Sequence, residues 1–130
     1  YPWFTAVDSA VTRQEMDSLA HQLAWQSQAV LIPVGPAWEK IIHDQPQINL
    51  YASDGIHASA EGVYLSACVI YATLTGESPL KISSFTAVGY DDPDEIIILD
   101  GNIAQLLRLT AWEIIQDYQQ KGEFQVILLK

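Results

Sequence analysis

The chain has 130 residues, 49% of them apolar, with four Trp and six Tyr. That is the size of one compact domain, and too rich in core-forming side chains to stay disordered. Acidic residues outnumber basic ones 16 to 6, for a formal charge of −10; with no Lys/Arg cluster, repulsion disfavours nucleic acid and anionic membrane surfaces as partners.

The opening YPWFTAVDSAV lacks a basic n-region and an initiating Met, so it does not read as a signal peptide. The missing Met raises the expectation that the chain is a portion of something longer. Thr12-Arg13-Gln14-Glu15 fits a capping box, and Met16, Leu19, Ala20, Leu23 and Ala24 recur at helical spacing, which predicts a helix over residues 13 to 27. AVLIPV, residues 29 to 34, is short, continuous and rich in branched side chains, and Gly35-Pro36 closes it. It reads as a buried strand of a parallel sheet.

Pro36 suits the first turn of a second helix carrying Ala37, Trp38, Ile41 and Ile42, which Pro46 stops. Ile48, Leu50 and Tyr51 read as a brief extended segment. Ser59 is placed to cap a third helix over 60 to 75, with Gly76 at its C-terminus. EIIIL, residues 95 to 99, suits strand or helix. A fourth helix over about 102 to 119 rests on Ile103, Leu106, Leu107, Ala111, Ile114, Ile115 and Tyr118, and FQVILL, residues 124 to 129, reads as a terminal strand. Short alternation of helix and strand predicts α/β layering, yet with too few strands for a complete sheet. No apolar run approaches the roughly 20 residues that span a bilayer.

Chemistry concentrates in LYASDGIHASAEGVYL, residues 50 to 65, where Asp54 and His57 flank a Gly-containing turn. A neutral imidazole takes a proton from a hydroxyl near neutral pH, and a carboxylate on its other nitrogen fixes the tautomer and stabilises the imidazolium. The bland reading stands beside it: Asp-Gly is a common turn dipeptide, and Asp54 can simply bond backbone amides.

The flanks add a resemblance. LIPVGPAW, a short helix, a Pro with an apolar tripeptide, and then LYASDGIHASAEGVYLSACVIYATLTGESP resemble the C-terminal half of SGNH hydrolases, the GDSL-like esterase and lipase superfamily, over about Met16 to Pro79. AQLLRLTAWEII, residues 104 to 115, is similar to the helical tail of one bacterial branch. In that family Asp-x-x-His is the last block, after the final strand region and before the C-terminal helix. The resemblance implies a three-layer α/β/α, flavodoxin-like fold that hydrolyses a small-molecule or carbohydrate ester through an acyl-enzyme, with no cofactor and no metal. It makes His57 the general base and then acid, and Asp54 its orienter. Members of the family are often exported.

The chain departs from that pattern where the nucleophile belongs, because the Gly-Asp-Ser block and the Gly-x-Asn-Asp block have no counterpart. Ser9 lacks the preceding Gly and leaves too little chain before His57. Ser78 follows a helix and suits a C-cap loop, and Asn102 is simplest as a helix N-cap or part of the Asp-Gly turn. His21 falls on the polar side of the first helix, and His43 near the end of the second, where a cation suits the helix dipole. Metal ligation by His43, His57 and a carboxylate lacks supporting spacing. Trp38, Tyr64 and Tyr71 read as core, and Cys68, the single cysteine, as a buried small residue that excludes an internal disulfide and a cysteine-based zinc site.

The expectation is therefore the acid–base half of an esterase, either one domain over 1 to 130 or the C-terminal part of one. By itself it should be inactive on simple esters and prone to oligomerise through its bare sheet edge, unless a missing N-terminal half covers that edge. The alternative is a non-catalytic α/β interaction or scaffold module that keeps the turn for structural reasons.

Overall fold

The computed structural model describes residues 13–88, 92 and 94–122. Four helices follow in the order α1 (Arg13–Ser27), α2 (Val34–Asp44), α3 (Ala60–Thr75) and α4 (Gly101–Gln120); a 3-10 turn (Pro79–Lys81) and strands β1 (Thr86–Val88) and β2 (Ile96–Ile98) lie between α3 and α4. The fold is mixed α/β and mostly helical, with a small antiparallel sheet.

The core is the α3–α4 pair. The sequence of α3 is apolar or small on nearly every side, as suits a helix packed by neighbours all round; α4, α2 and β1 all lie against it. Leu65 and Val69 of α3 meet the Ala104, Leu107, Ala111 and Ile115 stripe of α4, and all six are fully buried. Full burial of one Leu or Ile side chain stabilises by about 1.5–3 kcal/mol, so Leu65, Leu107 and Ile115 of this seam each contribute on that order. The termini of α3 are as read from the sequence: Ser59 Oγ accepts from the Gly62 amide at 3.1 Å, and Gly76 ends the helix at φ +70°. For α4 the cap is Asp100, not Asn102. The Asp100 carboxylate accepts from the Asn102 and Ile103 amides, and a negative charge suits a helix N-terminus better than an amide does. Ser78 likewise opens a turn instead of closing a helix, accepting from the Leu80 amide ahead of Pro79.

EIIIL resolves as a strand. β2 pairs antiparallel with β1 in the register Thr86↔Ile98, Ala87↔Ile97 and Val88↔Ile96. Ala87 is buried, whereas Ile96 and Ile98 are 72% and 71% exposed on the other face. FQVILL, residues 124 to 129, lies outside the described residues, as do Thr12 of the capping box and Ser9.

The parallel strand expected at 29 to 34 does not form. Val34 instead opens α2, two residues before the start that Pro36 suggests; Pro36 stays within the first turn, where its missing N–H is harmless. Strand identity comes from a paired neighbour, and among the described residues none lies beside this segment. The backbone groups of Val30 and Leu31 make no hydrogen bond among the described residues, and Ile32 makes one, accepting from the Val34 amide at 2.9 Å. The extended segment at 48 to 51 reduces to one bridge between Tyr51 and Ala58.

α1 stands apart from the core. Leu19 and Leu23 are 48% and 54% exposed. One tie to the body among the described residues runs through Tyr118 near the end of α4, whose hydroxyl donates to Asp17 at 3.2 Å and whose ring lies 5.5 Å from that of His21. His21 is thus half-buried against an aromatic ring, not on a purely polar face as its helical position suggested. Among the described residues no helix is long and apolar enough to cross a membrane.

Candidate active site

The Asp54–His57 turn is a clamped loop. Ala52 donates to the His57 carbonyl at 2.8 Å and Ser59 to the Leu50 carbonyl at 2.9 Å, closing the loop on either side of the Tyr51–Ala58 bridge. Ser59 has a second task. Its hydroxyl donates to the Asn49 carbonyl at 2.8 Å while capping α3, so the residue that starts the helix also pins the chain entering the loop. At the tip Gly55 adopts φ +70°, a left-handed conformation that a Cβ disfavours.

Inside this frame Asp54 divides its two oxygens. Oδ1 accepts from the Ile56 and His57 amides at 2.9 and 3.0 Å, and Oδ2 lies 2.6 Å from His57 Nδ1. One carboxylate thus bonds both the backbone amides and the His57 ring. The His57 ring first, and the two amides after it, hold its carboxyl well below the usual carboxylate range. A carboxylate against Nδ1 places the ring proton there, so in the neutral ring the lone pair is on Nε2. The His57 side chain is 53% exposed, which leaves the ring accessible.

His57 stands on the rim of a cleft of about 660 Å³ between α1 and the α2–α3 wall, floored by residues 31 to 36. The volume is within the 300–1,000 Å³ range of small-molecule sites. Met16, Leu31, Ile32, Trp38 and Ile56 make it largely apolar. Trp38 anchors the wall: its indole N–H donates to Ser66 Oγ at 3.0 Å, and its ring meets that of Tyr51 edge-on at 5.1 Å. Ser66 lines the cleft, yet its hydroxyl donates to the Gly62 carbonyl at 2.8 Å and it is buried.

The structure brings Asp54 and His57 together, and among the described residues Ser78 is not beside them. Ser9 is outside the described residues and Ser78 caps the 3-10 turn. His43 lies beside Asp44, with Nδ1 at 2.7 Å from a carboxylate oxygen, and among the described residues no cluster of three or more His, Cys, Asp or Glu could hold a metal ion. Trp38 and Tyr64 are core as read, while Tyr71 is half-buried and donates to Glu77. Cys68 is buried, and burial pushes its thiol up to about 11, against the opposing pull of Arg108 and Tyr64.

Two contributors escaped sequence reasoning. Trp38 and Tyr51 form the wall beside His57, and the signal was Gly62. A Cβ there would fall 2.3 Å from the Leu50 carbonyl oxygen and 2.8 Å from the Trp38 ring, so a glycine inside a helical pattern marked a close approach. Comparison of the chain with protein-family models, with curated proteins and with solved structures finds no significant match in any of the three.

Proposed function

We propose that the chain is the acid–base half of an SGNH-type ester hydrolase, with His57 as general base and acid and Asp54 as its orienter. The observation that carries this reading is the division of the Asp54 carboxylate between two amides and His57 Nδ1, with His57 among the residues that line a cleft of substrate size. The serine comes from polypeptide outside the described residues. Its hydroxyl gives its proton to Nε2 as the oxygen attacks the ester carbonyl; the imidazolium then protonates the leaving alcohol, and the ring next activates water to release the acid. In the complete protein the helices flank a parallel sheet in the three-layer, flavodoxin-like arrangement. The helical walls on both sides of an unpaired apolar segment support that fold, and the substrate is a small-molecule or carbohydrate ester.

Hydrolysis of p-nitrophenyl acetate tests the proposal. The chain alone should be no faster than an equal concentration of imidazole. Addition of the serine-bearing polypeptide should raise turnover, and His57→Ala should then lower it by a factor on the order of 10³ or more. Turnover that His57→Ala abolishes but that survives replacement of every serine would exclude the serine mechanism.

A second reading, a non-catalytic α/β interaction module, is favoured by the bonds of Ser66, whose hydroxyl is held by Gly62 and Trp38 instead of by His57. It predicts no turnover in any mixture and unchanged partner binding in His57→Ala.

A further inference from the structure

The small sheet has an edge that the hydrolase reading leaves unused. The register of β1 and β2, continued by one pair, sets Phe85 opposite Leu99, and the Leu99 amide donates to the Phe85 carbonyl at 2.9 Å. Facing pairs of an antiparallel ladder alternate between bonded and unbonded. Ala87 and Ile97 are therefore a bonded pair, and the amides and carbonyls of Ile96 and Ile98 point away from β1. Among the described residues they meet no partner there. The side chains of the same two isoleucines are exposed on one face. Edge strands are ordinarily blunted by a charge or a Pro on the strand itself; here Ile stands at both outward positions.

The charges stand at the ends of the strand instead. Asp92 Oδ1 accepts from the Asp94 amide at 2.9 Å, and the Asp92 carbonyl accepts from the Glu95 amide at 3.1 Å. This bonded turn holds three exposed acids, Asp92, Asp94 and Glu95, at the entry to β2, and Asp100 follows its exit. Among the described residues none of these carboxylates forms an ion pair. Two copies joined edge to edge about Ile97 would set Ile96 opposite Ile98, but also Asp94 opposite Asp100 at both ends. Like charges directly opposite are destabilising, so the edge is closed to its own copies. The same acids attract a segment that carries Lys or Arg on either side of an apolar centre.

We propose that the β2 edge docks an extended segment of a partner polypeptide. The segment adds as a strand beside Ile96–Ile98, sets apolar side chains next to those of Ile96 and Ile98, and brings Lys or Arg to Asp92, Asp94, Glu95 and Asp100. The proposal is independent of the hydrolase reading, since it involves neither His57 nor a serine.

The test is a titration of the full chain with a capped peptide of alternating Val and Thr between lysine pairs, followed by amide NMR signals and hydrogen exchange. In the free chain the Ile97 and Leu99 amides should exchange about tenfold or more slower than those of Ile96 and Ile98. With the peptide, the Ile96 and Ile98 signals should shift to saturation and their amides should gain protection of about tenfold or more. Glutamate in place of the peptide lysines, N-methylation of the peptide amides along one edge, or an Asp94→Lys, Glu95→Lys double variant of the chain should each weaken binding by about tenfold or more. Absence of a saturable shift at Ile96 and Ile98 overturns the proposal, and so does equal affinity for the lysine and glutamate peptides. Protection of Ile96 and Ile98 already present in the free chain overturns it as well: with a dimer in sedimentation the edge belongs to a second copy, and with a monomer to another part of the chain.

Discussion

The two sides of α3 differ in how they are held. On one side Leu65 and Val69 lie fully buried against Leu107, Ala111 and Ile115 of α4. On the other the cleft separates α3 from α1, and α1 is tied to the body by Tyr118 while Leu19, Leu23 and Trp25 remain exposed. Within one chain, then, a dense helical seam adjoins a face whose apolar residues are poorly covered, and the Asp54–His57 turn sits between the two. Its clamp belongs to the dense side through Ser59 and α3, and its imidazole opens toward the other. The proposed general base needs both, a rigid footing and an approach for its substrate.

The contrast can be broken most severely at the seam. Leu107→Ala should cost about 2–5 kcal/mol, because the cavity falls where the surroundings cannot collapse; urea denaturation would show it as a lower midpoint with an unchanged slope. Gly62→Ala comes next, at about 1–3 kcal/mol. Its methyl would press on the Leu50 carbonyl and Trp38, so the His57 ring signals should shift in an NMR spectrum along with the loss of stability. A Gly62→Ala protein with wild-type midpoint and wild-type His57 signals would show the clamp to be slack.

The turn itself is sharpened by pH. The folded-state pKa of Asp54 is depressed, so its contribution is present above the ordinary carboxylate value of about 3.9 and is lost as pH falls through the lower folded value. Acid titration followed by the Asp54 carboxyl carbon signal should therefore show an abnormally acidic group. Asp54→Asn should remove this component of acid sensitivity while α3 stays folded; a carboxyl titrating near 3.9 in the wild-type chain would contradict the geometry. The smallest effect is expected at α1. Leu23→Ser, on an exposed face, should change stability by no more than about 0.5 kcal/mol, and it should weaken any self-association detected by sedimentation.

What the sequence made legible follows the same division. The ends of α3 were readable because Ser59 and Gly76 act through their immediate neighbours, and α4 because its apolar residues repeat along one stripe. Asp54 and His57 could be paired from spacing alone, as three residues and a left-handed glycine suffice to bring a carboxylate to a ring. Residues 29 to 34 could not be assigned correctly in this way. An apolar run becomes a strand only when another strand bonds to it, so its state depends on chain that is distant in sequence. His21 failed for a related reason: helical periodicity made its face polar, and Tyr118, 97 positions later, made it aromatic. The cap of α4 was mislocated by two residues because Asp100 and Asn102 are both competent caps, and only the backbone decides between them.

The bond from Tyr118 to Asp17 joins residues 101 positions apart. Closing so long a stretch of chain costs more entropy than forming the local bonds within α3, so this contact is expected to form late as the chain folds. That hydrogen bond to a charged acceptor, of about 1.5–3 kcal/mol, acts together with the contact between the Tyr118 and His21 rings. The amides of α1, whose Leu19 and Leu23 are half-exposed, should therefore exchange with solvent faster than those of α3, whose Leu65 and Val69 are fully buried.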